Sequence, residues 1–132
     1  MKSFWTALAA VLSFLMIATA ADADIAPKVD ERLLYRLVAE ANGDQPSDFD
    51  CGGTLDAPFI LCAGLSRPPA EGFFGYFDVN PWTGDVWSVW HCKWLSTPAL
   101  RKSQAAIRKS FSAAEFKDYG RLHRLRPPCE FP

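Results

Sequence analysis

The sequence predicts an α+β fold: a small antiparallel three-stranded sheet with one N-terminal and two C-terminal helices, held by two disulfides. Three observations carry this expectation. Apolar residues recur at helical spacing early in the chain, and two helix-start signals follow one another late in it. Aromatic and β-branched runs lie between them, on either side of a turn sequence. All four cysteines fall after residue 50 of a 132-residue chain, the pattern of a small stapled domain.

The first helix is expected over Pro27 to Ala41. Val29, Leu33 and Leu37 repeat every fourth residue, with Leu34, Val38 and Ala41 alongside, so one stripe is apolar. Asp30 and Glu31 sit in the first turn, where the helix dipole favours acids, and Gly43 is a natural stop. Asp44 to Gly53 is polar and turn-rich and reads as a loop. The middle of Ala57 to Leu65 reads as a buried strand, and Ser66 to Gly72, with Pro68 and Pro69, as another loop. Phe73 to Val79 and Asp85 to Cys92 are the remaining two strands. Asn80-Pro81-Trp82-Thr83-Gly84 between them has the residues of a hairpin turn. Thr97 followed by Pro98 starts the second helix, with Leu100, Ala106, Ile107 and Phe111 as its apolar side. Ser112 to Glu115 is a capping box that starts the third, which carries Phe116, Tyr119 and His123 on one side. Pro127-Pro128 ends the regular part.

Residues 1–20 read as a secretory signal peptide. Lys2 supplies the positive end, Phe4 to Ile17 is apolar but for Thr6 and Ser13, and Ala18-Thr19-Ala20 supplies small residues for cleavage. Ala21-Asp22-Ala23 is a second possible cleavage point. The apolar run is too short for a membrane span. Residues 21–132 are then one exported domain, periplasmic or secreted, with no span in the mature chain. Export permits disulfides. Four cysteines admit three pairings, and Cys51–Cys62 with Cys92–Cys129 is the favoured one: a local clip, and a tie from the chain end to the interior. No Cys-x-x-Cys is present and the chain has 2 histidines, so no metal site and no cofactor are expected.

Charge is unevenly spread. Residues 21–92 hold twelve acidic and four basic side chains, whereas residues 93–132 hold nine basic and three acidic. Solvated faces that complement one another are the commoner outcome of such runs; a basic face for cell-wall polymer, phospholipid or an acidic protein is the sharper reading. Near-neutral overall charge and export argue against nucleic acid as a partner.

Pairing Asn80 with Asp85 sorts the hairpin into two faces. Val79, Val86, Phe77, Ser88, Trp90, Phe73 and Cys92 share one, expected to be the core. Tyr76, Phe74, Asp78, Trp87, Val89 and His91 share the other. With Trp82 at the turn, the partner-binding residues expected from the sequence are Trp82, Trp87, Tyr76, Phe74, His91 and Asp78. Trp87 is expected on the surface and Trp90 in the core. Aromatic side chains dominate binding hot spots and also stack on sugar rings, so a glycan is a second partner class. No catalytic set assembles: His91 and Ser88 are placed on opposite faces, no serine sits at an elbow, and paired cysteines exclude a thiol nucleophile. Asp78 to Val89 is a poor calcium loop, with Gly84 one place late and Val89 where a bidentate acid belongs. If the aromatic face is covered, the basic helices are the remaining surface, at Arg101, Lys102, Arg108 and Lys109.

The stretch Tyr76-Phe77-Asp78-Val79-Asn80-Pro81-Trp82-Thr83-Gly84-Asp85-Val86-Trp87 resembles the terminal hairpin of PepSY-type domains. That resemblance implies a small exported α+β module that binds or inhibits. In size, export and cysteine content the chain also resembles small periplasmic inhibitors and immunity proteins directed against cell-wall-degrading enzymes. The expected function is an exported binding protein, an inhibitor or immunity factor against an envelope-acting hydrolase, and not an enzyme. The alternative is a small envelope hydrolase or glycan-binding factor using the same hairpin surface.

Overall fold

Five antiparallel strands, not three, form the sheet. They are β1 (Ser47–Cys51), β2 (Ile60–Ser66), β3 (Gly72–Val79), β4 (Val86–Ser88) and β5 (Lys93–Trp94), and their order in the sheet is their order in the chain. The computed structural model describes residues 25–129 apart from 44, 46, 55 and 70; the expected signal peptide lies outside the described residues.

Two departures turn three strands into five. The first is β1, in a segment whose composition reads as a loop. It pairs with β2 from Ser47↔Ser66 to Cys51↔Cys62. Phe49 and Cys51 pack against the core, while Asp48 and Asp50 are exposed. Aspartate is rare in strands, and here two of them occupy the outward positions of an edge strand. The second departure is at Ser88, where the expected strand over 85–92 stops. The Ser88 hydroxyl accepts the His91 N–H at 3.4 Å and lies 2.9 Å from His91 Nδ1. Such local side-chain bonds compete with the ladder. Cys92 adopts a positive φ of 52°, and the chain returns as β5 with Trp94 opposite Trp87.

The helices begin at their caps. Asp30 accepts the Leu33 N–H at 2.8 Å and starts α1 (Glu31–Ala41). The helix is therefore shorter than expected. The Lys28 and Val29 N–H groups instead donate to Pro81 O, at 2.9 and 3.0 Å. Thr97 accepts from Leu100 N at 3.1 Å and Pro98 opens α2 (Pro98–Lys109). Ser112 and Glu115 exchange bonds of 3.1 and 3.0 Å at the start of α3 (Ala113–His123). Each cap contributes about 1 kcal/mol.

All three helices contribute to one core. Leu34, Leu37 and Val38, Leu100 and Ile107, and Leu122 meet the sheet at Cys62, Phe77, Val79 and Val86. Burying side chains of this kind stabilises the fold by roughly 1.5–3 kcal/mol each. Disulfides join Cys51 to Cys62 and Cys92 to Cys129, the favoured pairing. The first links directly opposed residues of β1 and β2. No helix among the described residues is long and apolar enough to cross a membrane. Among the same residues no group of three or more His, Cys, Asp or Glu is placed to hold a metal.

Candidate interaction surface

The β3–β4 hairpin has the register read from the sequence, Val79↔Val86, Asp78↔Trp87 and Phe77↔Ser88. Its turn, however, is buried. Asn80 Oδ1 accepts the N–H groups of Trp82 and Thr83, at 3.0 and 3.2 Å, and Asn80 Nδ2 donates to Leu122 O at 2.8 Å. Trp82 Nε1 donates to Ile25 O at 2.8 Å, and the ring is 6% exposed. The segment at Ile25 to Val29 and the end of α3 thus close over the turn. Trp82 cannot meet a partner there, which corrects the expectation that little of the domain covers it.

The two faces of the hairpin are also not as expected at their outer end. The pairing of β2 with β3 shifts between Gly64 and Leu65, so that Gly64 faces Gly75 and Leu65 faces Phe73, with Phe74 as the extra residue. A bulge of this kind moves later side chains to the other face. Phe74 turns to the core side, 6.0 Å from both Phe49 and Phe77. Its ring occupies the space where a Gly64 side chain would be: a Cβ there would meet Phe74 at 2.5 Å. Phe73 turns outward beside Tyr76, with ring centroids 4.6 Å apart. Phe74 is therefore half-buried against the core, and it lines the cleft that Trp90 and His91 share.

Trp90 and Trp87 exchange the roles expected of them. Trp87 is 5% exposed and packs edge-on against Trp94 at 4.8 Å. Trp90, carried out of the ladder by the turn after Ser88, is 49% exposed and meets Phe73 edge-on at 5.0 Å. With Leu65 at 42% and Phe73 at 41%, it forms an exposed apolar patch completed by Tyr76. His91 is exposed nearby, bound to Ser88 rather than facing away from it. Of the six expected partner-binding residues, Tyr76 and His91 lie at this surface and half-buried Phe74 lines the cleft beside Trp90, whereas Trp82, Trp87 and Asp78 are buried. The sequence pattern puts Phe73 and Trp90 on the core face and gives Leu65 no role beyond ending its strand run. The signal that could have found them is the pair Gly64 and Gly75, opposed in the ladder, with Gly75 at φ 148°.

Asp78 is fully buried beside Trp87, and neither its carboxyl oxygens nor Trp87 Nε1 has a hydrogen-bond partner among the described residues. Burial, and after it the charge of nearby Asp56, pushes the Asp78 carboxyl up to about 7. Below that value the carboxyl is a neutral acid.

A second feature lies at the end of α3. Asp85 Oδ2 accepts the Thr83 hydroxyl at 2.6 Å and is 2.6 Å from His123 Nδ1. A carboxylate only accepts, so the Nδ1 proton of His123 points at it. Tyr119 stacks on the histidine ring at 5.7 Å. The pair borders a cleft of about 320 Å³ whose other walls are Trp94, Leu95, Gln104, Arg124 and Arg126.

No family model matches the sequence, and no curated protein matches it. Among solved structures, the chain is similar to one in the structure of a type VI secretion system effector-immunity complex from Pseudomonas protegens. That likeness has 20% identity and a TM-score of 0.47, over 71% of this chain and 88% of the other.

Proposed function

We propose that the protein is an exported, disulfide-bonded binding protein that acts as an inhibitor or immunity factor, docking on an envelope-acting hydrolase. The observation that carries this reading is the exposed patch of Leu65, Phe73, Trp90 and Tyr76. Ordinary solvation does not call for three large apolar side chains, each more than two-fifths exposed, next to one another. Tryptophan and tyrosine are the residues that hot spots use, because they bring large area at small entropic cost. Two disulfides fit an oxidising compartment, as does the signal-like sequence of residues 1–20.

The test is affinity capture on the mature protein from periplasmic extract, followed by assay of the captured protein on peptidoglycan. One stoichiometric protein is expected, whose peptidoglycan-degrading activity falls when the bait is added. Trp90→Ala should weaken that complex by about 2 kcal/mol or more without lowering the melting temperature, because the ring is half exposed. Retention of the bait on purified peptidoglycan with no protein partner would overturn the reading in favour of a glycan-binding factor. Turnover of peptidoglycan by the bait itself would overturn it in favour of a hydrolase.

A further inference from the structure

We infer that the cleft beside Asp85 and His123 receives a carboxylate side chain from the protein partner. This rests on the binding reading above, but on different residues and a different force. Asp85 is the one carboxylate among the residues that line the cleft, set against the guanidiniums of Arg124 and Arg126. It is already matched, by the Thr83 hydroxyl and by His123 Nδ1. Neither Arg124 nor Arg126 makes an ion pair with a described carboxylate, whereas neighbouring Arg121 has Asp118 at 3.7 Å. The helix dipole accounts for a cation in the last turn of α3, but Arg126 lies beyond that helix. The cleft therefore keeps positive charge that no described carboxylate pairs with. Planar guanidinium forks match a carboxylate in shape as well as charge. With Nδ1 held by Asp85, the Nε2 edge of His123 is directed away from it and donates a further N–H when the ring is protonated.

A protein carboxylate is the occupant that the surroundings favour. Trp94 and Leu95 form an apolar wall for the methylene stem of a glutamate or aspartate. Leu95 also lines a second cleft of about 230 Å³ that includes Trp90 and Lys93. A partner that covers the aromatic patch thus reaches the edge of the charged cleft. Residues 93–132, which hold nine basic and three acidic side chains, supply every lining residue but Asp85.

The chain has 2 histidines, so its imidazole proton signals give a direct readout with an internal control. The mature protein is titrated with sodium acetate, and separately with sodium phosphate, against sodium chloride at matched ionic strength. Acetate should shift the His123 ring signals saturably and leave those of His91 nearly still. Arg124→Gln and Arg126→Gln, both at exposed positions, should each weaken acetate binding about threefold, and together about tenfold. Equal movement of both histidines, a shift that does not saturate, or unchanged binding in the double variant would each overturn the inference. Saturation by phosphate but not acetate would overturn it as well. Trp90→Ala should leave the acetate titration unchanged. Loss of the Trp90 effect on the partner thus sinks the docking reading alone, and an absent acetate effect sinks the cleft alone.

Discussion

Between roughly pH 4 and about 7 the folded chain keeps a proton on Asp78 that the unfolded chain has released. The folded value is the higher one, so the stabilisation is fully present below the unfolded value. It is lost as pH rises through about 7. The cause is burial first and the Asp56 carboxyl second. Above that range the protein carries a buried carboxylate to which no described group donates a hydrogen bond, an unfavourable state. Urea midpoints measured from pH 5 to pH 8 should therefore fall with pH, at up to ~1.4 kcal/mol per unit in the steepest part. Asp78→Asn should flatten that dependence, since the amide does not titrate. An equal slope in wild type and variant would assign the pH effect to another group.

At the scale of elements, the hairpin turn is the joint on which helices and sheet meet. Gly84 sits at φ 74°, and a Cβ there would meet Ile107 Cδ1 at 2.5 Å and Leu37 Cδ1 at 3.3 Å. Both neighbours are core side chains of α2 and α1. Gly84→Ala should lower the free energy of unfolding by about 2 kcal/mol or more, measured by chemical denaturation, because backbone strain and overpacking add. This joint also shows what was legible in the sequence. The starts at Thr97-Pro98 and Ser112 to Glu115 were readable because a cap is set by residues within one turn. The Asn80–Asp85 register was readable because the turn between them fixes it. β1 was hidden because Asp48 and Asp50 mask the alternation of Phe49 and Cys51. The patch was hidden because its faces depend on a bulge between β2 and β3 and on the bond from His91 to Ser88. Neither is a property of β3 or β4 alone, and together they moved Trp90 outward and Phe74 inward. The Asp85–His123 pair joins residues 38 apart in the chain, a proximity that only the assembled fold creates.

For the molecule as a whole, the two disulfides act on different lengths of chain. Cys51–Cys62 spans 11 residues and Cys92–Cys129 spans 37. On the loop-entropy model they contribute ~3 and ~4 kcal/mol. The protein should show no alkylation without reductant and four alkylated cysteines after reduction, by intact mass. Cys92→Ser with Cys129→Ser should lower stability more than Cys51→Ser with Cys62→Ser. The reverse order would mean that the short clip, and not the tail, governs the fold. Among the described residues, the acidic first part and basic last part meet in that sense at Asp85 and His123, 2.6 Å apart, whereas Lys28 and Glu115, at 2.7 Å, pair with the signs reversed. Most of the basic charge on α2 and α3 is left facing solvent.

Because sheet order equals chain order, no strand has to wait for a distant one. Each closes against the segment just made, through a short loop whose entropic cost is small. Such sequence-local pairing favours rapid folding. For a chain made amino end first, this has a practical meaning. The β1–β2 hairpin, with both of its cysteines opposed, can assemble before the later residues are available. The second bond has to wait for Cys129, 37 residues after its partner. Assembly and covalent closure are thereby ordered in time by connectivity alone, the short clip before the long one.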